Sequence, residues 1–307
     1  MQRLTFSRSA LTRAVSLSRE GGFLPLSSSK FTTIAKFFPT LRFAAEHKVA
    51  TPPGQVYNSH RGGRTLDEVT EDRLLDGRVL LRQPAEGYRA AIDPVFLAAA
   101  VPAQEGEMIL DLGSGVGAAS LCLASRVPGC RVFGLEMQPP LVGLARQNID
   151  INGLTGRVES MIGTLQMPPP RLAPGSFHHV MTNPPFHPAE GTASPHEGKD
   201  AANREGEVDL AGWMRFAVNM LRPKGTLVVI YRADRLDELL AALYRKVGEI
   251  QILPLWPKRG RPAKRVLLRA RKGIATPLTL AAGLVLHEED GRYTTLAEDV
   301  LRRGAAL

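Results

Sequence analysis

Residues 108–117, M-I-L-D-L-G-S-G-V-G, constrain the fold more than any other stretch of the chain. An apolar run of Met108, Ile109 and Leu110 leads into Asp111. Glycines follow at three alternate positions, Gly113, Gly115 and Gly117, and then small residues over 118–124 that favour a helix. Strand, glycine turn and helix in that order make a βα nucleotide-binding unit. Glycine accepts the left-handed backbone of a tight turn and lets a ligand approach bare main chain. The dinucleotide fingerprint G-x-G-x-x-G would place its third glycine at residue 118, where Ala118 stands. That position tolerates alanine, so the stretch alone admits a nicotinamide dinucleotide as well as other adenosine-bearing ligands.

The rest of the chain repeats the strand–helix alternation. Strands are expected over residues 131–136, 157–162, 176–182 and 226–231, and helices over 140–152, 210–221 and 235–245. Residues 250–255 and 265–269 predict a terminal hairpin, and 284–307 a short strand, a turn at Asp290-Gly291 and a last helix. Upstream, residues 78–82 and 88–92 read as a strand pair, with Asp93 capping a helix that has Pro94 at its first position and Pro102 after its end. The predicted fold is α/β and Rossmann-like: a mostly parallel seven-stranded sheet with helices on both faces and an antiparallel edge hairpin. Residues 69–103 would form a cap, 104–272 the core and 273–307 a C-terminal appendage.

Residues 1–68 differ in character. Within the first fifty, eight Lys or Arg face only Glu20 and Glu46, and no helical or strand period holds. We expect a disordered basic extension there, best explained by a misassigned start codon. A nucleic-acid-binding arm or a transit peptide, which would imply an organelle rather than the bacterial cytoplasm, is the alternative. The two cysteines, Cys122 and Cys130, have no metal-ligand or disulfide spacing, and no apolar run reaches membrane-spanning length. No metal and no membrane partner are expected, and a monomer is the expected state.

Two strand ends carry chemistry. Glu136 closes the strand after the glycine-turn helix, where an acid accepts both hydroxyls of a ribose. Asn183-Pro184-Pro185-Phe186 closes the fourth core strand, and open α/β sheets bind ligands at the carboxyl ends of their strands. The side-chain oxygen of Asn183 and the carbonyl of Pro184 can each accept one hydrogen of a conjugated amine. The nitrogen thereby moves towards tetrahedral geometry and frees its lone pair. The two prolines aim these acceptors in advance, and Phe186 offers a flat face for a flipped base. Acidic Asp111 ahead of G-x-G-x-G resembles the first motif of S-adenosylmethionine-dependent methyltransferases. In that setting it would lie under the methionine portion and orient the glycine loop.

Three further stretches narrow the resemblance: residues 82–100 (R-Q-P-A-E-G-Y-R-A-A-I-D-P-V-F-L-A-A-A), 221–230 (L-R-P-K-G-T-L-V-V-I) and 257–269 (P-K-R-G-R-P-A-K-R-V-L-L-R). Together with the earlier motifs, over residues 70–304, the chain resembles the bacterial tRNA(Val) adenine-N6-methyltransferase family, in particular its alphaproteobacterial members. The resemblance implies that Asp111, Gly113, Ser114, Gly115, Gly117, Glu136, Met137 and Asn183 bind S-adenosylmethionine, and that Asn183, Pro184, Pro185 and Phe186 hold an adenine of a tRNA anticodon loop. Tyr88 and Arg89 match the cap segment and are assigned to substrate. Relatives often carry an acid after the third strand for the adenine amine. Here Thr164 stands in its place.

A net charge of +9 fits a polyanionic partner. Eight of the cations fall within residues 258–272 with no acid among them; Lys258, Arg259, Arg261, Lys264 and Arg265 are the expected phosphate contacts. A charged edge strand would look the same. Residues 187–207 predict a mobile lid. Other readings remain: a protein glutamine methyltransferase, another RNA or DNA amino-methyltransferase, a nicotinamide oxidoreductase, and a non-catalytic RNA-binding relative.

Overall fold

The computed structural model describes residues 68–85, 89–185 and 208–307. The chain divides into two units, Met1–Gly63 and Arg64–Leu307. The first lies outside the described residues, as do Tyr88, Phe186 and the expected lid at 187–207. Among the described residues no helix is long and apolar enough to cross a membrane.

The second unit opens with an antiparallel hairpin, β1 (Val69–Leu74) and β2 (Val79–Pro84). Helix α1 (Asp93–Ala100) leads to β3 (Met108–Leu112), α2 (Ala118–Arg126), β4 (Arg131–Glu136), α3 (Pro139–Ile151), β5 (Val158–Ile162) and β6 (Phe177–Thr182). After the undescribed segment come α4 (Leu210–Met220), β7 (Leu221–Arg232), α5 (Leu236–Leu243), β8 (Val247–Trp256) and β9 (Arg265–Lys272). Two two-residue strands, β10 (Thr279–Leu280) and β11 (Leu284–Val285), and helix α6 (Thr295–Arg303) complete it.

The main sheet runs β10-β8-β9-β7-β6-β3-β4-β5, with β11 also on β8. Strands β3 to β7 are mutually parallel, whereas β9 runs antiparallel between β7 and β8. Seven long strands are present as expected. The hairpin does not simply add to the edge, because its second strand inserts beside β7 and leaves β8 outermost of the long strands. Both faces are covered, which explains why the central strands are apolar at consecutive positions. In β7, Val228 and Ile230 pack towards α1, α2, α3 and α6, while Leu227, Val229 and Tyr231 pack towards α4 and α5.

Two local expectations fail. Residues 89–92 form no strand; the partner of β2 is β1, whose sequence V-T-E-D-R-L shows little strand preference but alternates in exposure. Side chains hold 89–90 in place instead of a ladder. Arg89 donates to Thr70 Oγ1 (2.7 Å), Asp72 Oδ2 (2.7 Å) and the Pro84 carbonyl (3.0 Å), and the Ala90 N–H donates to Gln83 Oε1 (2.8 Å). Asp93 does not cap α1. Ile92 is the N-cap residue and Asp93 is the first helical residue, its carboxylate drawn instead to Arg265 Nε at 2.8 Å.

Two asparagines dock the hairpin. Asn148, fully buried on α3, accepts from the Arg82 N–H (2.8 Å) and donates to the Arg82 and Val116 carbonyls (2.9 and 3.0 Å). Asn152, at the end of α3, accepts from the Leu80 N–H (2.8 Å) and donates to its carbonyl (2.7 Å). Each amide reproduces the donor–acceptor pair of a neighbouring strand and satisfies the free edge of β2.

Candidate active site

The parallel register of β3, β4, β5 and β6 brings their carboxyl ends to one rim. Beyond β3 the chain turns through Gly113, Gly115 and Gly117, all left-handed at φ 75°, 55° and 87°. A Cβ at Gly113 would lie 3.0 Å from the Trp213 ring. One at Gly115 would meet nothing within 4 Å, so that backbone borders open space. A Cβ at Gly117 would lie 3.6 Å from the Ala145 Cβ of α3. The Gly113 and Ser114 N–H groups donate to the Leu135 carbonyl (2.9 and 3.1 Å). The Ser114 hydroxyl points at Gly134, where a Cβ would sit 2.6 Å from it.

The loop is oriented by Glu136, not by Asp111 as the motif suggested. Buried at the end of β4, Glu136 accepts from the Gly115 N–H through Oε2 (3.0 Å) and from the Gln138 N–H through Oε1 (2.9 Å). Each oxygen keeps a second lone-pair direction, so the acid can hold the loop and still receive two ribose hydroxyls. Asp111 is 3 % exposed and accepts from Ser120 Oγ at 2.7 Å, tying β3 to the first turn of α2. Burial pushes its carboxyl up to about 6, against the Ser120 hydrogen bond, and the negative charge of Glu136 adds to the rise. Such a group favours a neighbouring cation.

Asn183 lines the same cleft as Asp111, Gly113 and Gly115, and Ala90, Pro94 and Leu97 line it too. Two loops about seventy residues apart in sequence thus meet in one crevice, as the motifs required. Pro184 is buried and Pro185 exposed. At the outer ends of β4 and β5, Met137 is 60 % exposed and Ile162 49 % exposed, an apolar surface suited to a flat ring. Thr164 accepts from the Met167 N–H (3.0 Å) and closes the loop after β5, leaving its hydroxyl hydrogen to donate. An adenosine-bearing sulfonium cofactor fits this donor set: an open glycine turn, a ribose-competent acid, an apolar shelf and a buried carboxylate for its positive charge.

Trp213 on α4 was not foreseen, because a lone tryptophan in a helix carries no pattern. Its Nε1–H donates to Thr182 Oγ1 (2.9 Å), and that hydroxyl donates to the Leu112 carbonyl (2.8 Å). Leu112 precedes the glycine turn and Thr182 precedes Asn183, so one chain of hydrogen bonds joins the roots of both loops. His178 and His179 tie β6 to the start of β3: Nδ1 of His178 accepts from the Met108 N–H (3.2 Å) and Nε2 of His179 meets Glu107 (2.8 Å).

The basic loop between β8 and β9 opens on the same rim, since Arg265 pairs in register with Arg232 at the carboxyl end of β7. Arg259, Arg261 and Lys264 are exposed. Lys258 donates to the Glu289 carbonyl (2.8 Å). Arg265 is tied to Asp93, and Arg89 is bound within the hairpin, contacts that the sequence did not reveal.

Fold and cleft define an S-adenosylmethionine-dependent methyltransferase. Residues 91–253 match the model of the methyltransferase small domain, and the chain belongs to that family. It is 28 % identical over 212 residues to a tRNA1(Val) (adenine(37)-N6)-methyltransferase of Aeromonas hydrophila, covering 67 % of this chain and 85 % of the relative. It is 31 % identical over 208 residues to one of Porphyromonas gingivalis, covering 60 % and 74 %. Among solved structures, a predicted O-methyltransferase of Agrobacterium tumefaciens superposes with a TM-score of 0.59 at 27 % identity, over 70 % of this chain and 98 % of that one.

Proposed function

We propose that this enzyme methylates the exocyclic N6 amine of an adenine in RNA, with the anticodon loop of a tRNA as substrate, in the bacterial cytoplasm. The observation that carries the reading is the shared cleft of Gly115 and Asn183. The two curated relatives above bear names for that reaction, and the exposed cations beside the cleft suit a phosphate backbone.

Bound S-adenosylmethionine supplies an electrophilic sulfonium methyl. Transfer would form an N–C bond as the S–C bond breaks, leaving S-adenosylhomocysteine and a proton as the other products. Asn183 Oδ1 and the Pro184 carbonyl receive the two amine hydrogens and turn the nitrogen lone pair towards the donor. Pro184 and Pro185 hold those acceptors rigid, so little reorganisation accompanies the transition state. Glu136 and Gly115 would hold the adenosine end of the cofactor, and Asp111 would balance its positive charge. The methylated nitrogen is acidic enough to lose its proton to water. Alignment thus supplies much of the rate.

Transfer of labelled methyl from S-adenosylmethionine to bulk tRNA, followed by nucleoside mass spectrometry, tests the reading. N6-methyladenosine is the expected product. Label in a release-factor glutamine instead would overturn the substrate assignment. Asn183→Ala should abolish transfer and leave cofactor affinity nearly unchanged; normal turnover would remove Asn183 from the acceptor role.

A further inference from the structure

A second crevice, of ≈ 530 Å³, lies at the opposite rim of the sheet, where β6 and β7 begin and β9 ends. Arg222, Lys224, Arg269 and Arg271 line it, against the single carboxylate of Glu249. That carboxylate is paired with Arg271 Nη1 at 3.1 Å. Arg269 meets the neutral Gln251 amide, and Arg222 reaches Glu107 only at 3.5 Å. Among the described residues Lys224 and Arg269 thus face no carboxylate, and their positive charge is left to solvent or to a ligand.

His179 lines the crevice at 6 % exposure, its Nε2 held against Glu107 at 2.8 Å. Lys224 stands at the mouth in the left-handed region, φ 61°, with Gly225 beside it. Strained backbone outside glycine persists where surrounding structure or function demands it. A cleft with four cationic donors, two of them flanking the start of β7 and two on β9, matches an anion with several oxygens and more than one negative charge.

We infer that this crevice is a phosphate-binding site separate from the methyl-transfer cleft, taking either an oligophosphate compound or backbone phosphates of a bound RNA. Strand length puts the two rims roughly 20 Å apart, at about 3.3 Å per residue, so a ligand here touches no reacting atom. A folded tRNA is longer than that separation.

The test is calorimetric titration of the full chain with sodium pyrophosphate at fixed ionic strength, which does not depend on the methyl-transfer reading. Wild type should bind saturably, and Arg269→Gln with Arg271→Gln should weaken binding by about tenfold or more. Lys224→Gly removes a cation and puts glycine where the backbone is left-handed, so the turn is kept; it should weaken binding several-fold. No saturable binding, or equal affinity in all variants, overturns the site. The RNA arm, which rests on the proposed substrate, compares full-length tRNA with an isolated anticodon stem-loop. A KM raised for the former alone assigns the crevice to RNA phosphates. Unchanged KM for both, with pyrophosphate affinity lost, assigns it to a free oligophosphate.

Discussion

A carboxylate shut away from water with one hydroxyl donor must hold its proton to unusually high pH, and Asp111 does, to about 6. The folded-state value lies above that of the unfolded chain. Its contribution to stability is therefore complete below about pH 4 and lost as pH rises through 6, about 3 kcal/mol in all. A cation bound beside it favours the ionised form. Affinity for S-adenosylmethionine should accordingly fall as pH drops through 6 towards 5, by up to tenfold per unit, and calorimetry across that range reads it. In Asp111→Asn the profile should be flat and the affinity lower throughout. Trp213 makes a second case. Trp213→Phe keeps the ring beside Gly113 but forfeits the Thr182 hydrogen bond, and should cost up to about tenfold in kcat/KM. Trp213→Leu should also raise the cofactor Kd, because the floor under Gly113 is lost.

At the scale of elements, the parallel core was legible because buried strands and glycine turns leave strong local marks: 108–112, 131–136 and 177–182 were read nearly to the residue. The cap was misread for a physical reason. Its first strand, V-T-E-D-R-L, is stabilised by Asp72, Gln83 and Arg89, and its second is held by asparagines some seventy residues away. None of these contacts has a period. Likewise Asp93 looked like a helix cap because its distant partner Arg265 was invisible. The cleft was half legible. Motifs named Asp111, Glu136 and Asn183, but the division of labour between the two acids depends on which backbone N–H each meets. Asn148→Ala would leave the Arg82 N–H and two carbonyls without partners. It should destabilise the protein by about 2–4 kcal/mol in thermal or denaturant unfolding. Leu80 and Arg82 amides should exchange faster in the same variant.

Over the whole molecule, the exposed loop cations and the cleft share one rim, which lets a large polyanion meet both at once. Replacing Lys258, Arg259 and Arg261 with alanine should weaken tRNA binding more at low salt than at high. The slope of log K against log salt should fall by about 0.7–0.9 for each phosphate contact removed. A slope equal to wild type would exclude these side chains from the interface.

Strand β9 alone runs against its neighbours on both sides, and it carries guanidinium groups at each extremity, Arg265 at one and Arg271 at the other. Six residues of extended chain hold them roughly 20 Å apart, more than two Debye lengths at physiological ionic strength. The two mouths are thus covalently continuous yet electrically independent. A change of charge at either is largely screened at the other, so selection can retune one with little effect on its counterpart.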